Sequence, residues 1–359
     1  MTAKNFAPKT SCSRCDAGEY FRDLMKILLD HPNPFLLAHG GLQIQVEQTQ
    51  KALQSIGVDV EYLRWWDDSQ RGDIIHFFGR PSPTYIEFAH RKKIKVVLGE
   101  LLTALGSRSA ATRGLQKLVV ALGRKAFPKM ITQRFAWDSY CLADACVALT
   151  AWEARLMREI FAAPAEKIRV IPNGVEDVFF QSQRTTRGQW LVCTATIDPR
   201  KRVLELAQAA VTSKTPVWIF GKPYSAEDAY AKNFFDFVKE HGRMVKYEGA
   251  INDRGRLAQI YREARGFVLF SDKESLSLSA LEAAACECPL LLSDLPWART
   301  VFGENASYCS INTSTAKTAE VLRRFYDAAP NLEPPPKPMT WIEVAKKLQT
   351  LYVSLLKTS

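Results

Sequence analysis

Residues 270–289 read FSDKESLSLSALEAAACECP. The stretch follows the apolar run Gly266-Phe267-Val268-Leu269-Phe270, which has the unbroken hydrophobicity of a strand buried on both faces of a parallel sheet. Small polar residues then turn the chain into a helix rich in Ala, Leu and Glu. Glu274 and Glu282 bracket that entry. A strand end feeding a helix N-terminus is where open α/β sheets bind anionic ligands, because the first N–H groups of the helix lack partners within it. The reading aims the backbone N–H groups of Leu276, Ser277, Leu278 and Ser279 at a phosphate. A carboxylate on either side could then hold sugar hydroxyls. Taken alone, the same letters also describe a surface loop and an ordinary amphipathic helix.

The pattern around this stretch repeats it. Short apolar runs at 26–29, 58–63, 73–78, 94–98 and 145–149 read as buried strands, with a further start at 34–38 leading into His39-Gly40-Gly41. A helix is predicted over 43–56, stopped by Gly57. A second series runs through 190–195, 216–220, 244–247, 266–270 and 289–292. Strands alternating with helices give parallel βαβ units, so the expected class is α/β with two doubly wound, Rossmann-like domains. The expected division is an extension at 1–24, a first domain at 25–178 and a second at 187–335. A stiff Pro-rich crossing at 331–338 (NLEPPPKP) precedes a last amphipathic helix within 341–359.

Composition narrows the function classes. The 359 residues suffice for two ordinary domains, and 47% hydrophobic with 24% charged residues is the balance of a globular protein. No apolar run reaches bilayer-spanning length, and the first residues carry no apolar signal core, so a cytoplasmic protein is expected. The net charge of +10 suits an anionic partner. Much of it gathers between 101 and 137, where no Asp or Glu occurs and Arg108, Arg113, Lys117, Arg124, Lys125, Lys129 and Arg134 alternate with apolar residues. That pattern fits either a solvated helix face or peripheral contact with an anionic membrane. No nucleic-acid motif accompanies it, so no nucleic-acid partner is expected. Cys12 and Cys15 form one Cys-x2-Cys without a second pair or a nearby His, which argues against zinc. The remaining cysteines fit a reduced chain better than a disulfide framework.

Glu274, the small step Ser275-Leu276-Ser277-Leu278, Glu282-Ala283 and Cys288-Pro289-Leu290 together resemble the Glu-x7-Glu motif of retaining GT-B glycosyltransferases of glycosyltransferase family 4. The resemblance extends over the layout from about residue 25 to the end. It implies two Rossmann-like domains facing each other across a cleft, with the last helix returning to the first domain. It implies that Glu282 binds the ribose hydroxyls of a nucleotide and Glu274 those of the donor sugar. Gly40 and Gly41 would touch the donor, with His39 equally readable as structural. Pro172-Asn173-Gly174-Val175 is similar to the family's interdomain segment and reads as a turn framing the cleft. In TATIDPRKR (194–202), Lys201 matches the family's Lys, whereas its Arg falls on Thr196; Arg200 or Arg202 could compensate. Cations at a helix start oppose the macrodipole and so ask for an anion, here a leaving diphosphate. Ala250 and Ile251 would face the nucleobase through their backbone.

Two departures stand out. Ser277 occupies a place where Gly is common. Glu100 stands where many members carry a His after the strand at 94–98, and it could touch the sugar or the acceptor, or be a loop carboxylate. The expected activity is transfer of a hexosyl group from a UDP- or GDP-linked sugar to a hydroxyl of a glycan or lipid-linked acceptor, with retention, in glycan, lipopolysaccharide or glycolipid biosynthesis. Lys201, Glu274 and Glu100 are the candidate catalytic residues. No Asp-x-Asp pair stands at a strand end, so neither a metal nor another cofactor is expected. A weakly active nucleotide-sugar-binding scaffold and a GT-B nucleotide-sugar epimerase remain open alternatives.

Overall fold

In the computed structural model, residues 25–357 are described except 33, 36–39, 128–132, 182–185 and 226. The expected extension at 1–24, His39, Lys129 and most of the apolar start at 34–38 lie outside the described residues.

Among the described residues the strands form two all-parallel sheets of six. The first holds β1 (Lys26–Asp30), β2 (Asp59–Tyr62), β3 (Ile74–Phe77), β4 (Lys95–Leu98), β5 (Ala145–Ala148) and β6 (Ile168–Val170), in the order β2-β1-β3-β4-β5-β6. The second holds β7 (Leu191–Thr194), β8 (Val217–Phe220), β9 (Val245–Glu248), β10 (Gly266–Leu269), β11 (Leu290–Ser293) and β12 (Ser307–Cys309), in the order β9-β8-β7-β10-β11-β12. The second order is that of dinucleotide-binding sheets, 3-2-1-4-5-6. The fold is GT-B, as the resemblance implies. β6 and β12 were not foreseen. Arg169 and Val170 are exposed on a three-residue edge strand, so the hydrophobic pattern that announces the inner strands is missing there.

The helices that bear on function are α1 (Gly41–Ser55), α2 (Thr103–Gly106), α3 (Ala110–Ala126), α4 (Ala151–Phe161), α5 (Val203–Ser213), α6 (Arg254–Glu263), α7 (Leu278–Ala285) and α8 (Trp341–Lys357). Each doubly wound sheet reverses direction at a switch point, and the loops leaving there open a crevice. In the first sheet this lies between β1 and β3, so the chain after β1 runs to Gly40 and α1. In the second it lies between β7 and β10, whose loops carry 195–202 and 270–277. Both crevices contribute residues to one cleft.

The last helix returns to the first sheet. Trp341, Val344, Leu348 and Tyr352 of α8 join the same core as Ile27, Val46 and Leu53. Val175 anchors the return, donating to Met339 O (2.9 Å) and accepting from Trp341 N–H (3.3 Å). Gly174 sits so close to this crossing that an added Cβ would stand 2.6 Å from the Trp341 backbone, so the Asn-Gly turn has a packing reason as well as a turn reason.

His76 of β3 shares a 2.7 Å hydrogen bond between Nδ1 and the Tyr352 hydroxyl, and its ring stacks on Phe78 at 4.4 Å. Burial pushes its pKa down from 6.5 to about 3. The folded protein therefore keeps His76 neutral while the unfolded chain takes up a proton below about 6.5, and stability falls as pH drops from 6.5 toward 3. A His76→Asn variant should show a shallower loss of unfolding free energy across that window in denaturant titrations. An unchanged slope would mean that other groups carry the acid sensitivity.

Candidate active site

The stretch 270–289 divides as expected into the end of β10, a loop and α7. Ser277 caps α7: its Oγ accepts from the Ala280 N–H at 3.3 Å. A serine in place of glycine is thus explained locally, since Ser is among the preferred N-caps and leaves the turn small. Leu278 and Ser279, in the first turn, line the cleft. Opposite them is the start of α1. Gly40 has φ 151°, a conformation that side chains of L-residues rarely adopt, and no side chain caps this helix. A Cβ on Gly41 would lie 3.9 Å from Leu278 Cδ1, so the N-terminal ends of α1 and α7 approach each other across the cleft. Two helix N-termini aimed at one space make it favourable for an anion.

Lys201 and Arg200 lie on the tight turn between β7 and α5. Asp198 holds that turn by accepting from Lys201 N–H at 2.9 Å. Lys201 Nζ donates to Glu274 Oε2 at 2.5 Å, and Arg200 Nη1 lies 3.6 Å from the same oxygen. The main chain joins the two loops as well: Asp272 N–H donates to Arg200 O at 2.9 Å. Lys201 and Glu274 side chains are 12% and 13% exposed, so their attraction is less screened than that of a surface pair. Arg202, the other cation proposed to compensate for Thr196, instead precedes α5 with φ 52° and is not among the cleft-lining residues.

Glu282, on the inner side of α7, is 6% exposed. Arg254 Nη2 pairs with its Oε1, and Tyr261 Oη donates to its Oε2 at 3.4 Å. Arg254 also reaches Glu176 Oε2 through Nε at 2.6 Å and lies 4.8 Å over the Phe179 ring. Burial raises the Glu282 pKa above 4.5, while Arg254 beside it acts to lower it. Desolvation of a carboxylate is offset by one guanidinium that also ties down the residues after the Pro-Asn-Gly-Val turn.

The cleft of about 560 Å³ is lined by Gly40, Gly41, Thr196, Arg200, Lys201, Ala250, Ile251, Glu274, Ser275, Leu276, Ser277, Leu278 and Glu282 together. The structure thus brings every predicted donor-binding residue to one space. Glu100 is placed elsewhere. Its carboxylate takes Arg80 Nε (2.6 Å) and Nη2 (3.0 Å) and the Tyr140 hydroxyl, beside a small neighbouring cavity of about 20 Å³. Sequence reasoning missed Arg254, although it begins a helix just after Ile251 and the argument used for Arg200 applied to it equally. It also missed Thr103 and Ser107. Thr103 Oγ1 lies 2.7 Å from Ser275 Oγ, and Ser107 Oγ accepts from Glu274 N–H at 3.3 Å, so α2 touches the motif loop directly.

Residues 48–174 match the family described as Glycosyl transferase 4-like domain, and residues 175–347 match Glycosyl transferases group 1. A D-inositol 3-phosphate glycosyltransferase of Jonesia denitrificans is 31% identical over 177 residues, which is 42% of this chain and 41% of that protein. The match therefore spans about two fifths of the curated relative. Among solved structures, sucrose-phosphate synthase from Thermosynechococcus elongatus aligns with a TM-score of 0.66 at 17% identity, covering 93% of this chain and all of that one. HepE of Anabaena, solved with UDP and glucose, aligns with a TM-score of 0.60 at 13% identity over 93% of this chain and 96% of its own. At these identities the structural likeness concerns the fold.

Replacing Arg254 by Met should leave Glu282 buried without a cation, held only by the Tyr261 hydroxyl. A raised carboxyl pKa stabilises the fold below its unfolded value near 4.5 and costs stability as pH rises through it, so the loss relative to wild type should be greatest near neutral pH and shrink on acidification. Because the Arg254 side chain is 31% exposed, the neutral-pH loss should fall below the roughly 3–5 kcal/mol of a fully buried pair. Unfolding free energies measured over a pH series check this, and a pH-independent loss would contradict it.

Proposed function

We propose an activity from the premise that this chain belongs to the GT-B glycosyltransferases of the family 4 type. It moves a hexosyl group from a UDP- or GDP-linked sugar to an acceptor hydroxyl with retention, in assembly of a glycan, lipopolysaccharide or glycolipid. One observation carries this reading. A single cleft at both switch points sets Lys201, Arg200 and two helix N-termini at one pole, with Glu274 and Glu282 beside them. That is a diphosphate site flanked by two groups able to accept from hydroxyls. The HepE complex with UDP and glucose supports a nucleotide-sugar donor.

In this reading Glu282 accepts from the ribose hydroxyls, and the backbone at Ala250 and Ile251 meets the base. The loop from Ser275 to Leu278 and the first turns of α1 and α7 hold the diphosphate, with Thr196 beside it. Glu274 orients the donor sugar and keeps the Lys201 ammonium in place before the donor arrives. As the anomeric bond breaks, its electron pair leaves with the diphosphate. The acceptor oxygen bonds the anomeric carbon from the same face and passes its proton to the departing diphosphate oxygen, and Lys201 and Arg200 offset the growing charge. Gly40 and Gly41 let the α1 start close over the donor. Glu100 acts through Arg80, fixing the loop between β4 and α2 beside the acceptor side. These side chains supply the positive charge themselves, so the reaction needs no divalent metal. The acceptor, a glycan or a lipid-linked molecule, is met by loops of the first sheet.

A Lys201→Ala variant should fold normally and lower kcat by roughly 100- to 1,000-fold, the effect of losing one donor to a developing anion. Release of nucleoside diphosphate from UDP- and GDP-hexoses, measured with candidate acceptors, reads this out; unchanged turnover would contradict the role of Lys201. A chelator added to the same assay should leave the wild-type rate unchanged, and a loss restored by magnesium or manganese would remove the metal-free part of the account.

A further inference from the structure

Helix α3 has two apolar faces, and the core uses only one. Val120 and Gly123 face inward; a Cβ on Gly123 would come 2.5 Å from the Trp137 ring. Arg113 lies 4.7 Å over Trp152, and Arg124 Nε pairs with Asp138 at 3.0 Å, so both cations serve this inner side. On the opposite side Leu115, Leu118, Val119 and Leu122 recur at helical spacing and are 63%, 53%, 49% and 56% exposed. Lys117 and Lys125 are exposed on the same helix, and residues 101–137 contain no Asp or Glu at all. Four large aliphatic side chains in a row, flanked by cations and free of acids, are not an ordinary solvated face. The position matters too. Three residues separate α2 from α3, and α2 carries the Thr103 contact to Ser275, so this face begins where the cleft rim ends.

We propose that the outer face of α3 lies on an anionic lipid bilayer, with its aliphatic stripe in the headgroup boundary and Lys117 and Lys125 against lipid phosphates. Opposite charge and an apolar stripe are the two terms that bind interfacial helices. Among the described residues no helix is long and apolar enough to cross a membrane, so the contact is at the surface. Docking by α3 sets the α2 rim of the cleft beside the bilayer. There a glycan acceptor carried on a lipid would reach the donor, a consequence that rests on the glycosyl-transfer reading, whereas the docking itself does not.

Flotation with phosphatidylcholine vesicles, with and without phosphatidylglycerol, tests this at low and high salt. The protein should float with the anionic vesicles at low salt and lose most of that binding with neutral lipid or high salt. L118D/L122D, altered only at exposed positions, should bind more than about tenfold less tightly. K117E/K125E should weaken binding by about fivefold or more per charge. All variants should keep the wild-type melting temperature and nucleotide binding. Absence of flotation at low salt, or L118D/L122D floating like wild type, overturns the proposal. So does a wild-type dimer that L118D/L122D turns into a monomer, since a second copy would then cover the face. Flotation without nucleotide binding would keep the membrane dock and remove the glycosyl-transfer reading; the reverse would remove only the dock.

Discussion

A carboxylate buried at the floor of the cleft sets the terms for its surroundings. Glu282 cannot be left without a partner, since desolvation disfavours its charged form. Arg254 supplies that partner, and in doing so binds Glu176 and covers Phe179. One ion network therefore couples α7 of the second sheet to the segment that follows the first. Removing Arg254 leaves Glu282 buried without a cation, whereas removing Glu282 leaves Arg254 partly exposed and still paired with Glu176, so the penalty falls mainly on the carboxylate.

The same economy governs the opposite wall. Lys201 and Glu274 are nearly buried and satisfy each other, with Arg200 close by. Asp198 and Glu274 balance the two cations, so the positive potential of the space comes from the two helix N-termini that point into it. An anionic ligand with hydroxyls at both ends would complete it. Switch-point topology explains why these groups meet. The loops after β1, β7 and β10 all leave the C-terminal edges of their sheets where strand order reverses.

Much of this was legible in the chain. Inner strands announce themselves as unbroken apolar runs because both their faces are covered. The strand-to-helix step at 270–289 announced the end of β10 and the capped start of α7, because turn, cap and helix composition agree. What stayed hidden depends on distance in sequence. Arg254 finds Glu282 and Glu176 only once two sheets are folded, and Glu100 is held by Arg80 and Tyr140 from neighbouring loops. β6 escaped notice because its exposed residues break the pattern. Ser277 read as a departure from the glycine expected there, yet its hydroxyl caps α7. The second apolar face of α3 was visible as interleaved charge, but only burial shows which side the core leaves open.

The central claim is that Glu282 and the cleft above it hold a nucleoside diphosphate. Calorimetric titration of the purified protein with UDP, GDP and ADP, repeated on Glu282→Gln, tests it most directly. The account predicts saturable one-site binding of UDP or GDP and loss of at least about tenfold in affinity in the variant, the effect of removing a charged hydrogen-bond acceptor. Equal affinity in both proteins, or no binding of any of the three to a folded wild type, would contradict it.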